Sequence, residues 1–512
     1  MRFNQGIRKV IDAPFPQSWL VVCGFLFSMA TGMAVAPKPS YGFTAAAEPA
    51  NIFSRYTVLS DINGDGIIDI VSVDNAGILV TPGNGDGTYQ PPIRTTLTDP
   101  ANAFVVADLD GDGSKDLIVY SGPAFSVQSL TVFLGLGNGG FRVSGKITLP
   151  ASASSRNLAG ADPIALADFD GNGLPDIALN GSGISNGIAV DKVSVWLNQG
   201  GGTFGTPVTF PTGTNPGSSA SLIVVGDFNN DGNPDIASAS SLGRMAVIFG
   251  DGKGAFGAPL TFTANLGNAV QLTNLAVSDL NGDGKLDLVT AQTWIGVPAD
   301  ASVGVYMGHG DGTFASGVLY RPSVIDVYGL VTVYPGTLQF ADLTGDGILD
   351  LVASNYRVSS FGEVIVYPGN GDGTFEPASI YQTTSQANFV AAADLNSDGR
   401  MDLVVTSPST SGQLSAIQVL NGSSGPYLRL VISNNGPVYL DEDTLFSVNV
   451  VNLGDAPTNG TVVLRPGSQV SAAGWNCGFV DVGGNYAPQC SRDEILAPGA
   501  SYPDFAGLHA LS

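Results

Sequence analysis

The stretch DLNGDGKLD, residues 279–287, decides the fold of this 512-residue chain. Side-chain oxygens stand at its positions 1, 3, 5 and 9, and glycine stands at position 6. The glycine permits a sharp turn that folds the oxygens back towards one point, and hard oxygen ligands suit a hard cation. The spacing is therefore that of a calcium loop.

The chain repeats this loop seven times. We number the copies loops 1 to 7, and they begin at Asp61, Asp108, Asp168, Asp227, Asp279, Asp342 and Asp394. An apolar strand enters each loop, a second strand leaves it, a third leads into a glycine-rich turn, and a short fourth strand ends the unit. Four-stranded units that recur at such a period are typical of propeller blades. The sequence therefore predicts an all-β fold with a seven-bladed β-propeller over residues 41–425.

Closure of the predicted ring needs a strand from outside the repeats. The seventh unit reaches Leu420, Asn421 and Gly422 and then runs into different sequence without a fourth strand. Residues 41–53, before loop 1, have no other assignment. We predict that they supply the missing outer strand of the last blade.

The loops predict binding of up to seven Ca²⁺ ions. The expected ligands are the side chains at positions 1, 3, 5 and 9 and the backbone carbonyl at position 7. These residues are Asp61, Asn63, Asp65, Ile67 and Asp69; Asp108, Asp110, Asp112, Ser114 and Asp116; Asp168, Asp170, Asn172, Leu174 and Asp176; Asp227, Asn229, Asp231, Asn233 and Asp235; Asp279, Asn281, Asp283, Lys285 and Asp287; Asp342, Thr344, Asp346, Ile348 and Asp350; and Asp394, Asn396, Asp398, Arg400 and Asp402. The alternative is a set of Asx turns without ions. Grouping three or four carboxylates without a cation is costly, which favours the metal.

Differences between the loops predict an order of affinity. Loop 2 has Asp at all four side-chain positions and should bind most tightly. Asn172 in loop 3 removes one charge, and Thr344 in loop 6 is a weaker ligand, so these two loops should bind most weakly. Asn230 and Ser397 replace the position-4 glycine of loops 4 and 7, which we expect to strain the turn only slightly.

The acidity of the chain is concentrated in the loops. The net charge is -24, and the loops hold three Asp each at positions 1, 3, 5 and 9, or four in loop 2, which makes 22 of the 44 acidic residues. The remaining 22 acidic residues nearly balance the 20 basic ones. No basic stripe is available for phosphates, which argues against nucleic acid. His309 and His509 stand outside any nucleophile motif, so no catalytic residue is predicted and we expect no enzyme.

The N-terminus predicts export. Arg2, Arg8 and Lys9 precede an apolar run over residues 19–36, as in a signal peptide of residues 1–36. Cleavage is expected at residues 34–36 or at 45–47, and an uncleaved membrane anchor is the alternative. The protein would then be secreted or at the cell surface. In that setting Cys477 and Cys490 are expected to form a disulfide rather than two free thiols.

The propeller region resembles a known family. The motif D-x-[DN]-G-D-G-x-x-D and the later G-x-G-x-G-x-F turn are similar to the FG-GAP (VCBS) repeats of integrin α-subunit propellers and their bacterial relatives. That resemblance implies seven blades, calcium between the first two strands of each blade, and extracellular recognition rather than catalysis. Residues 426–512 are predicted to form a small β-sandwich. They resemble an immunoglobulin-like conserved-repeat domain of bacterial surface proteins through VNLGDAP, the two cysteines and LAPGAS.

The sequence thus predicts an exported, monomeric module for adhesion or protein recognition. We expect its binding surface in the longest insertions, residues 180–191, 294–302 and 320–335. One alternative is a lectin-like propeller that binds glycans between blades through Trp196, Trp294 or Tyr328. A second alternative is an accessory domain of a secreted enzyme system. Membrane contact is expected only through the N-terminal anchor.

Overall fold

The computed structural model describes residues 42–45, 57–73, 77–121, 128–149, 164–185, 188–213, 221–240, 243–263, 270–294, 302–321, 335–355, 362–383, 387–406 and 417–423, followed by 428–434, 445–452, 462–464, 476–482, 485–492, 495 and 505–509. Regular structure in these ranges consists of β-strands, and no helix in them could cross a membrane. The predicted signal segment, residues 1–36, lies outside them, as do both predicted cleavage sites apart from Ala45.

Seven four-stranded antiparallel sheets form the seven predicted blades. Blade 1 holds β2 (Thr57–Ser60), β3 (Asp69–Val73), β4 (Gly77–Thr81) and β5 (Ile93–Thr96). Blade 2 holds β6 (Ala101–Ala107), β7 (Asp116–Ser121), β8 (Ser129–Gly135) and β9 (Phe141–Thr148). Blade 3 holds β10 (Ile164–Ala167), β11 (Asp176–Ser185), β12 (Ile188–Trp196) and β15 (Val208–Pro211), with a small pair, β13 (Asn198–Gly200) and β14 (Thr203–Phe204), in its last turn.

The other four blades follow the same order. Blade 4 holds β16 (Ser221–Gly226), β17 (Asp235–Ser240), β18 (Arg244–Ile248) and β19 (Leu260–Thr263). Blade 5 holds β20 (Val270–Ser278), β21 (Asp287–Trp294), β22 (Ser302–Tyr306) and β23 (Val318–Tyr320). Blade 6 holds β24 (Pro335–Ala341), β25 (Asp350–Asn355), β26 (Glu363–Tyr367) and β27 (Ser379–Gln382). Blade 7 holds β28 (Phe389–Ala393), β29 (Asp402–Thr406), β30 (Ile417–Ser423) and, at its outer edge, β1 (Gly42–Ala45).

The hydrophobic core is divided among the interfaces between blades. Second and third strands such as β3 and β4 are buried along their whole length, whereas the outer strand β5 is largely exposed. Seven clusters of buried Val, Ile, Leu, Phe and Ala side chains each join two neighbouring blades, including blades 7 and 1. Each blade is therefore stabilised by burying apolar surface against both neighbours.

The ring closes as the sequence predicts. The first strands of successive blades contact one another all the way round, and β28 of blade 7 contacts β2 of blade 1. The N-terminal strand β1 pairs with β30, from Gly42 opposite Ser423 to Ala45 opposite Leu420. Phe43 of β1 also meets the Tyr381 ring of blade 6 edge-on, with ring centroids 4.9 Å apart. The N-terminal strand therefore joins the last blade and reaches the blade beside it.

One predicted insertion is regular structure. Residues 180–191, which we expected to be a variable loop, extend the β11–β12 hairpin, which stays paired as far as Ser185 and Ile188. Most of 294–302 and 320–335 lies outside the described residues.

The C-terminal part contains two three-stranded antiparallel sheets. One holds β31 (Leu428–Asn434), β32 (Leu445–Asn452) and β36 (Phe505–His509), and the other holds β33 (Val462–Leu464), β35 (Asn485–Arg492) and β34 (Asn476–Val482). In the register of β34 and β35, Cys477 lies opposite Cys490. Strands β31, β32 and β33 overlap the three strands that the sequence indicates here, at residues 428–432, 445–451 and 460–464, whereas β34, β35 and β36 were not predicted. The immunoglobulin-like assignment and the disulfide remain predictions.

Candidate functional site

The seven loops join the first and second strands of the seven blades. Their first six residues form a turn around the position-1 carboxylate. In loop 1, the Gly64 and Gly66 N–H groups donate to the two carboxylate oxygens of Asp61, each at 2.8 Å. The bond from the position-6 glycine to the position-1 Oδ2 is present in all seven loops. Gly66 has φ of +83°, a conformation that favours glycine, which explains why position 6 is glycine throughout.

Position 4 adopts the same left-handed conformation. Its glycines have φ between 71° and 78°, while Asn230 and Ser397 have 57° and 58°. The two substitutions therefore keep the turn, as expected, in a conformation that L-residues with a side chain adopt at a cost.

Position 5 holds the second half of the turn. Its side-chain oxygen accepts from the N–H of position 7 in every loop, as Asp65 does from Ile67 at 2.9 Å. Position 7 contributes only its backbone N–H to this bond, which accounts for the free variation of the side chain at position 7.

The position-9 aspartate links three parts of its blade. Asp69 is fully buried at the start of β3; its Oδ2 accepts from the Ile62 N–H at position 2, and its Oδ1 accepts from the Gly83 N–H in the turn after the third strand, each at 3.0 Å. All seven loops repeat both bonds. The sequence predicts a metal ligand at position 9 but not its contact to the turn. The signal for this contact is the glycine that recurs at the start of the turn in six of the seven blades.

Burial changes the acidity of these aspartates. It raises the pKa of all seven position-9 carboxyls, against the opposing effect of their backbone hydrogen bonds. For Asp176, Asp235 and Asp350 the pKa rises to about 6. Negatively charged aspartates at positions 1, 3 or 5 of the same loop raise the pKa of the position-9 carboxyl further. Each loop therefore places a buried carboxylate beside like charges, a situation that a cation would relieve.

The loops fit a hard cation. In loop 2, carboxylate oxygens of Asp108, Asp110 and Asp112 lie within 4.8 Å of one another, and Asp168, Asp170 and Asp176 form the same kind of group in loop 3. Described lysines and arginines form no salt bridge with either group. Each position-9 oxygen that accepts one N–H retains acceptor capacity for an ion.

Loop 6 offers a different observation in favour of an ion. Thr344, at position 3, is 6% exposed, and its hydroxyl oxygen is buried without a hydrogen-bond partner. A buried unsatisfied hydroxyl is costly, and a cation bound in the loop would satisfy it. The predicted order of affinity among the loops stays a prediction.

The remaining candidate residues have structural surroundings. Trp196 is 2% exposed and packs in the core between blades 2 and 3, so it cannot stack on a sugar. His309 is an exposed turn residue whose N–H donates to the Thr313 carbonyl. The turns after the third strands are hairpins, as predicted, and Asp86 in the first of them accepts from Thr88. The side chains of Trp294, Tyr328 and His509 lie outside the described part of the chain.

Comparison with known proteins identifies one matching family model, described as an FG-GAP-like repeat. It matches residues 61–119, 168–238, 227–290, 279–353 and 342–405, which include all seven loops and more than half of the chain. A search of curated protein sequences found no match.

Solved structures with a similar fold have low sequence identity to the chain. An Agrocybe aegerita lectin, described as specific for non-reducing terminal N-acetylglucosamine, is 23% identical, covers 64% of this chain and 79% of its own, and has a TM-score of 0.43. AofleA from Arthrobotrys oligospora is 13% identical, with coverage of 68% and 90% and a TM-score of 0.35. A Chaetomium thermophilum Nup170 N-terminal domain in complex with Nup53 is 9% identical, with coverage of 71% and 58% and a TM-score of 0.40. At these values the similarity carries no argument about what this chain binds.

Proposed function

Because this chain belongs to the FG-GAP-like repeat family, we propose that it is an exported, calcium-binding β-propeller that recognises an extracellular protein. The proposal separates two tasks. The calcium loops stabilise the blades at one end of the ring. Recognition belongs to chain segments that differ from blade to blade.

The calcium part of the proposal rests on the chemistry of the loops. Side chains at positions 1, 3, 5 and 9, together with the carbonyl at position 7, would hold each ion. A bound ion supplies positive charge that offsets the carboxylate repulsion. The unsatisfied Thr344 hydroxyl and the grouped carboxylates of loops 2 and 3 support this assignment.

Thermal unfolding tests calcium binding directly. A ligand that binds only the folded state stabilises it by about 2.7 kcal/mol per site when its concentration is a hundred times Kd. We expect the melting temperature of the mature chain to fall sharply when calcium is replaced by chelator, and magnesium at the same concentration serves as the control. An unchanged melting temperature would contradict the assignment.

The recognition part rests on one observation, the long hairpin of blade 3. Strands β11 and β12 have ten and nine residues, whereas the second strand of blade 1 has five. Pairing with the neighbouring strands β10 and β15 involves β11 only up to Leu179 and β12 only from Lys192 onwards. Lys192, opposite Gly181, pairs with Pro211, and the Asp191 carbonyl, opposite Ser182, accepts from the Thr212 N–H. The hairpin from residue 183 onwards therefore extends about 10 Å beyond the blade, at the end away from the calcium loops. An arm of this kind supports binding to another protein.

Deletion of this arm tests recognition. A variant in which residues 183–190 are replaced by Asn-Gly leaves Ser182 opposite Asp191 and so keeps the register of the part of the hairpin that pairs with both neighbouring strands. It should retain the calcium-dependent melting temperature and lose partners captured by the wild-type propeller from extracellular extracts. Equal capture by both proteins would exclude the arm as the binding surface, and binding to glycans alone on an array would favour the lectin alternative.

A further inference from the structure

Asn198 stands where all six other blades have glycine. The residue that donates its N–H to the position-9 Oδ1 is Gly83, Gly135, Gly250, Gly308, Gly369 or Gly422 in six blades and Asn198 in blade 3. In those six blades, a β-carbon at this glycine would lie only 2.1 to 2.5 Å from the carbonyl oxygen of position 8 in the loop. A side chain is therefore sterically excluded there unless the backbone shifts. Blade 3 accommodates one, and its turn contains a register irregularity between Asn198 and Gly200.

The Asn198 side chain connects two calcium loops. Its backbone N–H donates to Asp176 Oδ1 in loop 3 at 2.6 Å, and its side-chain amide donates to the Leu109 carbonyl in loop 2 at 2.8 Å. The same amide donates to the Pro175 carbonyl at 3.0 Å, and the Asn172 side chain donates to the Asn198 carbonyl at 2.9 Å. Asn198 is 1% exposed, so these bonds form away from competing water.

These bonds form a continuous path between the two buried position-9 aspartates. Leu109 donates its own N–H to Asp116 Oδ2 at 2.7 Å, so its peptide groups connect Asp116 through Asn198 to Asp176. At the next two interfaces the position-2 carbonyl accepts from a backbone N–H instead, Gly254 to the Phe169 carbonyl and Gly312 to the Phe228 carbonyl. Of these three contacts to a position-2 carbonyl, the one between loops 2 and 3 is made by a side chain, which can be removed by substitution. These are also the two loops with grouped carboxylates.

We propose that Asn198 is a positioning residue that couples loops 2 and 3, so that the two loops fill with calcium as a pair. The proposal rests on the proposed calcium binding. An ion in loop 2 fixes the Leu109 peptide, which orients the Asn198 amide and with it the Asp176 and Pro175 side of loop 3. The first ion then orders the connected peptides, so the second ion binds with a smaller loss of conformational entropy. By linkage, calcium in either loop raises the affinity of the other loop by the same factor. The gain in occupancy is largest for loop 3, because that loop lacks a carboxylate at position 5 and binds more weakly on its own.

Native mass spectrometry across a calcium titration counts the ions bound to each chain and tests the coupling. The loop 2 variant Asp112→Lys puts an ammonium group in place of the position-5 carboxylate and so removes the ion of loop 2. When Asn198 is present it should lower calcium binding by two ions at intermediate calcium, because loop 3 then loses about tenfold in affinity, within the range usual for coupled sites. In the Asn198→Gly background the same loop 2 change should remove one ion. The matched control Asp398→Lys in loop 7, a blade that Asn198 does not contact, should remove one ion in both backgrounds.

The glycine variant restores the residue of six other blades, which favours folding, and Asn198→Ala provides a second background that keeps the β-carbon blade 3 already accommodates. Loss of a single ion from the Asp112→Lys variant with Asn198 present would overturn the coupling and leave calcium binding intact. Loss of two ions in both the glycine and the alanine backgrounds would overturn the role of Asn198. A wild-type chain that binds no calcium would overturn this proposal together with the proposed calcium binding.

Discussion

At the scale of single residues, the position-9 aspartates combine two roles that are usually separate. Each is a candidate ion ligand, and each also accepts backbone N–H groups from its own loop and from the turn after the third strand. Asp350 illustrates the combination, because it is fully buried and accepts from Leu343, Thr344 and Gly369. Replacing such a residue removes these structural contacts together with the ligand. Loss of calcium in such a variant would therefore not by itself identify a ligand.

The raised pKa of these carboxyls predicts an unusual pH dependence in metal-free protein. The folded-state pKa of Asp176, Asp235 and Asp350 is about 6, above the unfolded value of about 3.9. The folded state therefore binds more protons between these values, and its stability falls as pH rises from 4.5 to 6.5. Exposed turn carboxyls such as Asp86, whose pKa is lowered by the hydrogen bonds from Thr88, change the stability only at pH values below this range.

Thermal melts of chelator-dialysed protein should show this decrease, and the variant Asp350→Asn should show a shallower one. Added calcium should reverse the trend, because ions bind the deprotonated carboxylates. A metal-free melting temperature that rises steadily from pH 4.5 to 6.5 would contradict the burial of these charges.

Ser397 gives a second prediction at this scale. It holds φ of 58° at position 4 of loop 7, where five other loops have glycine. Ser397→Gly should stabilise the chain by about 0.5–1 kcal/mol, since relief of left-handed strain exceeds the added freedom of the unfolded chain. Asn230→Gly is the matched control, and it should gain less because Asn230 donates to the Gly284 carbonyl of the next blade at 3.4 Å. Urea denaturation measures the free energy of unfolding of both variants. A Ser397→Gly protein that is less stable than the wild type would contradict backbone strain at Ser397.

At the scale of elements, the turn after the third strand is as constrained as the Asp-rich loop between the first and second strands. The glycine that opens it lies against the loop, and a β-carbon at Gly308 would lie 2.1 Å from the Leu286 carbonyl oxygen. Gly308→Ala should therefore destabilise the chain by about 1–3 kcal/mol, the usual cost of overpacking. Gly145→Ala is the control, because a β-carbon there meets no atom within 4 Å and the change should be nearly neutral. Equal effects in chemical denaturation would contradict the close approach.

The sequence predicts the elements well because their signals are local. Glycine at positions 4 and 6 and Asp at position 9 recur within nine residues, and the apolar runs around them identify the strands. The contacts between elements are different. Asn198 and Leu109 are 89 residues apart, so no local pattern indicates that the amide of one reaches the carbonyl of the other. The same limit applies to residues 180–191, which the sequence indicates as an insertion. Their pairing as a hairpin depends on the register set by the rest of the blade.

At the scale of the whole molecule, the ring depends on its N-terminal strand. Without β1, the Leu420 edge of blade 7 loses its partner and Phe43 leaves the cluster between blades 6 and 7. A chain that starts at residue 47 should therefore melt at a lower temperature than one that starts at residue 38, in calcium and in chelator alike. Phe43→Ala in the chain that starts at residue 38 should lower the melting temperature by part of this difference. Identical melting of the two chains would show that β1 is dispensable.

The pairing of β1 with β30 also has a consequence for the order in which the protein folds. The closing strand is among the first parts of the chain to be synthesised, and its partner is made only after six blades and half of the seventh. The earlier blades rely on contacts between neighbours and can form as they emerge, while closure requires two segments separated by almost the entire propeller. We therefore expect a slow final step in refolding, set by this distant pairing, that follows a rapid assembly of the blades.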